Sequence, residues 1–254
     1  MNYTHVIPCL DVKNGKLVKG VNFVELKDVG DPAESAAAYS AAGADELVFL
    51  DITATVENRD TIRDAVKRTL ERCSIPLTVG GGIRSTSDIE ALLEIGVAKV
   101  GINTAAVKNP ELIREAASAF GGEKIVVAID TKSSKTVSSG FEVVVNAGTK
   151  PTGIDAVEWA KKMEDFGAGA LLPTSMDADG TLNGYDIPMT KAIAGAVGIP
   201  VTASGGAGKL EHLSQAIIEG LARHVLVASI AHFGTFSVAQ MKEHLAAKGI
   251  AVKK

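Results

Sequence analysis

The sequence predicts an α/β protein, a single (βα)8 TIM barrel over residues 1–254. Eight short apolar runs each lead into a polar loop or an amphipathic stretch. The composition, with 46% hydrophobic residues, 4% aromatic residues and 26 glycines, is typical of one large α/β domain with glycine-punctuated loops. Similar motifs also recur about half a chain apart, which indicates an internal repeat.

The predicted strands are the runs VIPCLD, ELVFLD, PLTVGGG, AKVGINT, KIVVAID, ALLPTS, PVTASGG and HVLVAS. Between them, the stretches DPAESAAAYSAAG, TIRDAVKRTLERC, STSDIEALLEIG and NPELIREAASAFG have apolar residues at helical spacing. Asp, Ser or Asn stands near their starts and Gly at several of their ends, so we predict helices there. The segment VKGVNFVELKDVGDP is long for a connection after a strand, and we predict a mobile lid.

The repeat divides the chain into two predicted half-barrels, about residues 1–122 and 123–254. CLDVKNGK matches AIDTKSSK, and PLTVGGGIRSTSDIEALLEIG matches PVTASGGAGKLEHLSQAIIEG. A closed barrel buries both faces of parallel strands and leaves no sheet edge. The alternative is a doubly wound open sheet, but no single dominant nucleotide-binding fingerprint follows the first strand.

Charge and cysteine content argue against several classes of function. A net charge of -4 without a long basic run gives no field that favours nucleic acid or acidic membranes. The five histidines and two cysteines show no metal-ligand spacing, so we expect no metal site and no disulfide. The start lacks a signal-peptide pattern and no apolar stretch is long enough to span a bilayer, so we expect a cytoplasmic protein.

Two predicted strands end in an aspartate, VIPCLD in Asp11 and KIVVAID in Asp130. In such a barrel the active site lies at the C-terminal ends of the strands, so both carboxylates should lie at this rim, on opposite sides of the mouth. A carboxylate pair can divide general-acid and general-base work, each worth about 10²- to 10⁴-fold. We predict that Asp11 and Asp130 are catalytic; the alternative is that they cap helices or bind loop amides. Asp51 ends a third strand and is predicted to hold the loop or the other acids in place.

Two glycine-rich loops, VGGGIRSTSD and ASGGAGKLEH, stand between a predicted strand and a predicted helix. Missing side chains let an anion approach backbone amides, and a helix N-terminus adds about 0.3–1 kcal/mol for a negative charge. Tight turns are the alternative, but two such loops at matched positions favour a ligand with two phosphates. The segment SGGAGKL is unlike a P-loop because Leu210 occupies the magnesium-binding position. The predicted phosphate-binding residues are Gly81, Gly82, Asn103, Thr104, Ser204, Gly205, Gly206, Ala228 and Ser229.

Further binding candidates lie in two other loops. Lys19 could meet a phosphate or a reacting oxygen, or could simply be solvated. The segment LLPTSMDADGT could orient ribose hydroxyls or form an Asx-turn. Its predicted binding residues are Thr174, Asp177, Asp179 and Gly180.

These motifs together resemble the cyclase subunit (HisF) of imidazole glycerol phosphate synthase, in the HisA/HisF family of histidine biosynthesis. The likeness runs over essentially the whole chain, through CLDVKNG, VKGVNF, GDP, DELVFLDITA, TVGGGI, INTAAV, VVAID, SMDADGT, GYD and ASGGAGK. The sister isomerase, HisA, shares the two aspartates and the phosphate loops, but VKGVNF, INTAAV and SGGAGK are more similar to the cyclase. The alternatives are a HisA-like isomerase and a diverged or engineered phosphate-binding barrel without turnover.

The resemblance implies a lyase that uses ammonia to cleave and cyclise a phosphoribulosyl-formimino carboxamide ribonucleotide with two phosphates. The implied products are imidazole glycerol phosphate and the aminoimidazole carboxamide ribonucleotide (AICAR ribonucleotide). The resemblance also implies that Asp11 and Asp130 are the acid/base pair and that no organic cofactor takes part. Ammonia would come from a glutamine amidotransferase subunit (HisH) docked on the N-terminal face and would pass through the barrel interior.

The chain departs from the family mainly on that N-terminal face. The family commonly places Arg, Glu, Lys and Glu around an ammonia gate, where this chain has His5, Glu46, Lys99 and Ala170. Ala98 replaces an Asp beside the gate lysine. Because His lacks the permanent bidentate charge of Arg, we expect that the ring cannot close its usual ion pairs and that docking of the glutaminase is weakened.

Two more departures concern strands. Pro173 lies inside the sixth predicted strand, where it removes a ladder donor. Arg223 and His224 lead into the eighth strand, where the family usually has an Asp and a small residue. We expect Arg223 to reach the surface, and local stability to be reduced.

Overall fold

The computed structural model describes residues 3–21, 24–52 and 59–253, and of residues 19–29 and 59–61 it describes the backbone alone. In this part of the chain the strands are, in order, β1 (Val6–Lys13), β2 (Lys16–Val21), β3 (Val24–Gly30), β4 (Leu47–Asp51), β5 (Leu77–Gly80), β6 (Lys99–Ile102), β7 (Ile125–Ser133), β8 (Phe141–Val145), β9 (Lys150–Asp155), β10 (Ala170–Ser175), β11 (Thr202–Ala203) and β12 (His224–Val227). The helices are α1 (Pro32–Ala41), α2 (Arg59–Arg72), α3 (Thr86–Glu94), α4 (Thr104–Lys108), α5 (Glu111–Phe120), α6 (Ala156–Asp165), α7 (Ile187–Ala194), α8 (Leu210–Ile218), α9 (Ser229–His232) and α10 (Val238–Ala247).

The predicted (βα)8 barrel is confirmed in the described residues. Eight strands pair in parallel in the order β1, β4, β5, β6, β7, β10, β11 and β12, and β12 returns to β1. Each of the eight apolar runs overlaps one of these strands, although β1 and β7 continue past their runs, and the four predicted helical stretches overlap α1, α2, α3 and α5. The division into half-barrels at about residue 122 stays a prediction.

Side-chain caps fix where several helices begin. Asp31 accepts hydrogen bonds from the first turn of α1, which also has Pro32 at its start. Ser85 and Asp88 form a capping box at α3, and so do Ser237 and Gln240 at α10. These local signals place each helix start next to the loop that connects it to the preceding strand.

Two antiparallel hairpins extend the barrel, and they correct the sequence analysis. The segment predicted to be a lid largely forms strands, since β2 pairs with the end of β1 and β3 pairs with β2; residues 22 and 23 lie outside the described residues. No strand was predicted for β8 and β9, which pair in the same manner with the end of β7. The hairpins therefore follow the two strands that carry Asp11 and Asp130.

The barrel interior is a small apolar cluster, separate from the larger clusters between strands and helices. Its buried members are Ile7, Cys9, Val48, Val126, Leu172 and Leu226. Because side chains alternate along a strand, Asp11 shares this inner face with Ile7 and Cys9, and Asp130 shares it with Val126. Strand periodicity thus aims both carboxylates into the mouth of the barrel.

Pro173 lies where one ladder of the barrel is interrupted. The amide nitrogens of Leu171 and Ser175 donate to the carbonyls of Pro200 and Ser204, and Pro173 lies midway between them without an N–H. Between β10 and β11 only isolated bridges are present at described residues, Leu171 with Val201 and Thr174 with Ser204. The expected loss of a ladder hydrogen bond therefore falls on the side facing β11.

Two further expectations concern the cysteines and membrane insertion. Within the described part of the chain, Cys9 and Cys73 are not joined in a disulfide. Among the described residues, none of the helices is long and apolar enough to cross a membrane.

Candidate active site at the C-terminal ends of the strands

Asp11 lies at the C-terminal end of β1 and is 7% exposed. The pairing of β1 with β4 fixes its position, because Cys9 to Val12 of β1 pair in register with Val48 to Asp51 of β4. The thiol of Cys9 donates to Asp11, with Sγ and Oδ1 3.7 Å apart. The carboxylate is therefore held at the rim and contacted from the apolar interior below it.

Asp130 lies on β7, four strands around the eight-stranded barrel from β1 and so on the opposite side of the mouth. It is half-buried, and its neighbour in the ladder is Thr174 of β10. Burial raises the pKa of Asp130 to about 6; the nearby charge of Asp179 acts in the same direction, while a hydrogen bond from Asn103 opposes the shift. A carboxyl group with this pKa can exchange a proton near neutral pH.

Asn103 links Asp130 to α4. It stands directly before Thr104, the first residue of α4, and its side chain bonds to the Asp130 carboxylate. Its Oδ1 atom is buried without a hydrogen-bond partner among the described residues. A buried acceptor without a partner costs free energy, so this atom is suited to receive an N–H or O–H from a bound ligand.

The two glycine loops fit their backbones for reasons that do not require a ligand. A Cβ at Gly81 would overlap the carbonyl of Asp51, and one at Gly206 would overlap the carbonyl of Gly184. Both residues also have positive φ, +96° and +102°. At Gly82 the nearest atom to an added Cβ would be Asp51 Oδ2 at 3.8 Å, so that position is open. The tight turns considered in the sequence analysis are present, and phosphate binding stays a prediction.

The loop after β10 is fastened to β7. The exposed carboxylate of Asp177 accepts a hydrogen bond from the backbone nitrogen of Ser133, at 2.8 Å. The Thr131 hydroxyl donates to the Thr174 carbonyl at 3.3 Å. One oxygen of Asp177 therefore holds the loop in place. Asp179 has a different effect, since its negative charge acts on the catalytic candidate Asp130.

The structure brings the predicted site residues to one end of the barrel. Each follows or ends a barrel strand, except Lys19, which lies in β2 and whose side chain is outside the described part of the structure. The others are Asp11, Asp51, Gly81, Gly82, Asn103, Thr104, Asp130, Thr174, Asp177, Asp179, Gly180, Ser204, Gly205, Gly206, Ala228 and Ser229.

A polar cluster lies at the opposite, N-terminal end. Lys99 Nζ is 2.8 Å from both carboxylate oxygens of Glu46, and His5 Nδ1 is 3.0 Å from Glu46 Oε1. Burial opposes ionisation, but the hydrogen bond from His5 and the charge of Lys99 outweigh it and lower the pKa of Glu46 to about 2. Ala170 starts β10 at this end and brings no charge. At this end His5 and Lys99 both contact Glu46, and the effect of the altered ring on docking stays a prediction.

His224 is a member of this cluster that the sequence analysis did not assign. Its ring stacks on His5 with centroids 4.4 Å apart, and its Nδ1 accepts from the His5 backbone nitrogen at 3.1 Å. Burial and the neighbouring His5 lower the pKa of His224 to about 4. Arg223 is half-buried, so it keeps some contact with solvent. No local pattern signals the pairing of His5 with His224, because 219 positions separate them.

A model of one protein family, described as "Histidine biosynthesis protein", matches residues 5–237 of this chain. The match runs from the residue before β1 to the residue before α10. It therefore includes every barrel strand, both aspartates, the two glycine loops and the N-terminal polar cluster.

Proposed function

The chain belongs to the histidine biosynthesis protein family, as a barrel enzyme, and we propose that within this family it is the ammonia-using cyclase, a lyase. The substrate would be the phosphoribulosyl-formimino carboxamide ribonucleotide, and the products imidazole glycerol phosphate and AICAR ribonucleotide. The motifs VKGVNF, INTAAV and SGGAGK support the cyclase over the isomerase.

One structural observation carries the choice, namely that polar groups lie at both ends of one narrow interior. Asp11 and Asp130 lie at the C-terminal end, and Glu46 with Lys99 at the N-terminal end. The described residues between them are the apolar cluster of Ile7 and its neighbours. A reaction of one substrate at the C-terminal rim would not involve the N-terminal cluster. A reaction with a second, small substrate that enters from the N-terminal end would involve it. Neutral ammonia, unlike ammonium, can enter such an apolar interior at low cost.

The proposed chemistry uses the two aspartates as acid and base. Asp130, with a pKa near 6, is suited to hold a proton and deliver it to a leaving nitrogen or oxygen. Asp11 faces it across the mouth and would take a proton from the attacking or rearranging group. Asn103 would orient Asp130 and offer its free Oδ1 to the substrate. The loops at Gly82 and Ser204 would each hold one phosphate of a substrate that spans the mouth.

A glutamine amidotransferase partner is part of this proposal. It would dock at the N-terminal face and deliver ammonia beside Glu46 and Lys99. Because Ala170 and Ala98 lack the charges common in the family, we propose that this docking is weakened while use of free ammonia is kept.

The proposal is tested by steady-state assays of the purified chain. With ammonium salt and the phosphoribulosyl-formimino substrate, we expect imidazole glycerol phosphate to form at a rate that rises with ammonium concentration. With glutamine and a glutaminase subunit, we expect a lower rate at equal concentrations of the two chains. Ammonia-independent conversion of the phosphoribosyl-formimino isomer, without cyclisation, would instead identify the isomerase. Binding of the substrate with neither reaction would identify a barrel without turnover.

A further inference from the structure

A hydrogen-bonded array behind β1 ends two residues before Asp11. His232 is the last residue of α9, and its Nε2 is 2.6 Å from the carbonyl oxygen of Cys9. Its Nδ1 is 2.8 Å from the hydroxyl of Tyr39 in α1. The array therefore joins α1, α9 and β1, three elements distant in sequence. The proposed acid/base chemistry gives it no part.

The array has a defined direction. A carbonyl oxygen only accepts hydrogen bonds, so Nε2 of His232 must carry a proton toward Cys9. In the neutral ring Nδ1 then accepts, and the Tyr39 hydroxyl is its donor. Burial raises the pKa of Tyr39 to about 12, so this hydroxyl keeps its proton throughout the physiological range. Tyr39 thus selects the histidine tautomer that can bind Cys9.

His232 takes the place of a strand donor that β12 does not supply. The carbonyl of His5 accepts from Val225, and the carbonyl of Cys9, four residues further along β1, faces the same side. The ladder between β1 and β12 stops at the pair Pro8 and Val227, because α9 begins at Ser229. Without His232, the Cys9 carbonyl would lose this donor at the point where β1 reaches the rim.

We infer that His232 and Tyr39 are positioning residues for Asp11, acting through Cys9. The Cys9 carbonyl is fixed by His232, and the Cys9 thiol in turn contacts Asp11 Oδ1 at 3.7 Å. Holding the end of β1 in this way holds the carboxylate toward the mouth. The inference rests on the proposed function, because it takes Asp11 as one of the two catalytic groups.

The first test is a double-mutant cycle in the full chain. His232→Leu removes both hydrogen bonds, and we expect kcat with saturating ammonium to fall about 10-fold or more while KM for the phosphorylated substrate stays within about 3-fold. Tyr39→Phe should lower kcat by a smaller factor. The double variant should be no worse than His232→Leu, because Tyr39 acts only through His232. His232→Gln, whose amide can still donate to Cys9, should keep most of the activity.

Chemical rescue separates positioning from a general loss of structure. A cavity of about 270 Å³ lies against the ring, lined by Leu17, Ser35, Ala38, Tyr39, Ala231, His232 and Phe233. His232→Gly would enlarge it, and we expect added imidazole to raise kcat of this variant at least several-fold. The matched control is His244→Leu in α10, a histidine whose ring is bonded to Ser214 of α8 at 3.1 Å. It should leave kcat unchanged, with or without imidazole.

Three results would overturn the inference, namely an unchanged kcat in His232→Leu, additive losses in the double variant, or a loss shared equally by His244→Leu. Failure of the proposed function is seen separately, as no ammonium-dependent product from the unaltered chain. In that case the ¹³C resonance of the Asp11 carboxyl decides the inference, since it does not depend on turnover. A shift of this resonance in His232→Leu and not in His244→Leu supports the positioning role, and an unmoved resonance contradicts it.

Discussion

Two carboxyl groups at opposite ends of the same barrel have opposite electrostatic surroundings. Glu46, at the N-terminal end, has Lys99 and His5 within 3.0 Å, and its pKa is lowered to about 2. Asp130, at the C-terminal end, has the amide of Asn103 and the like charge of Asp179 nearby, and its pKa is raised to about 6. Burial disfavours the charged form of both, so the neighbouring cations decide the sign. The C-terminal end, where the groups acting on Asp130 among the described residues are Asn103 and Asp179, is the end suited to proton transfer.

The largest expected effect is on turnover at the C-terminal end. Asp11→Asn and Asp130→Asn should each lower kcat by about 10²- to 10⁴-fold, because each removes a group that exchanges a proton, while KM changes little. Steady-state assays with ammonium salt measure both constants. Asp165→Asn, which removes an exposed carboxylate at the end of α6, is the matched control and should be fully active. Near-normal turnover in either site variant would remove that aspartate from the chemistry.

The next effect is on stability at the N-terminal end. Glu46→Gln leaves Lys99 and His5 without their carboxylate and should lower the free energy of unfolding by about 3 kcal/mol at pH 7. The pKa of Glu46 is lowered, so this contribution is present above pH 4.5 and is lost as pH falls toward 2. Urea denaturation at pH 7 and pH 3 measures the difference. Glu243→Gln, an exposed carboxylate on α10, should change nothing, and an equal loss there would contradict the account.

Asp130→Asn should have the opposite sign of effect on stability. The pKa of Asp130 is raised, so its contribution is full below pH 3.8 and is lost as pH rises through 6. At pH 8 the neutral Asn should therefore raise the free energy of unfolding by about 2 kcal/mol, a value reduced because solvent screens the half-buried side chain. At pH 4 the unaltered chain and Asp130→Asn should have nearly equal free energies of unfolding. Denaturation curves at the two pH values test this. A destabilised Asn variant at pH 8 would show that the charged form is favoured.

The smallest effect concerns His224. Its pKa is lowered from 6.5 to about 4, so on acidification the unfolded chain binds a proton at His224 before the folded chain does. The contribution of His224 to stability is therefore full above pH 6.5 and is lost as pH falls toward 4. His224→Gln should remove on the order of 2 kcal/mol of that pH dependence. The comparison needs unfolding free energies of both proteins at pH 7.5 and pH 4.5. Equal slopes would mean that burial and the neighbouring His5 do not lower the pKa of His224.

The sequence predicted the barrel because strand and helix periodicities are local signals. Both aspartates could be placed for the same reason, since each ends an apolar run and the barrel carries strand ends to one rim. The hairpin of β8 and β9 was missed although Val143 to Val145 form a β-branched run before a turn at Asn146. That run was not counted because it belongs to neither a barrel strand nor a helix.

The contacts that distinguish the two ends could not be predicted locally. His224 meets His5 across 219 positions, and His232 meets Cys9 across 223. Whether these contacts form depends on the orientation of the two histidine rings and on which backbone group lacks a hydrogen-bond partner in the strand ladder. A pKa such as that of Asp130 likewise follows from three-dimensional burial and from Asp179, which no spacing rule reveals.

The most direct test of the contrast between the two ends is a carboxyl titration by ¹³C NMR on the intact chain, with Asp130→Asn and Glu46→Gln used to assign the two resonances. We predict midpoints near pH 6 for Asp130 and near pH 2 for Glu46. Midpoints for both groups close to the ordinary values of about 4 would contradict the account, because neither end would then have the electrostatic character assigned to it.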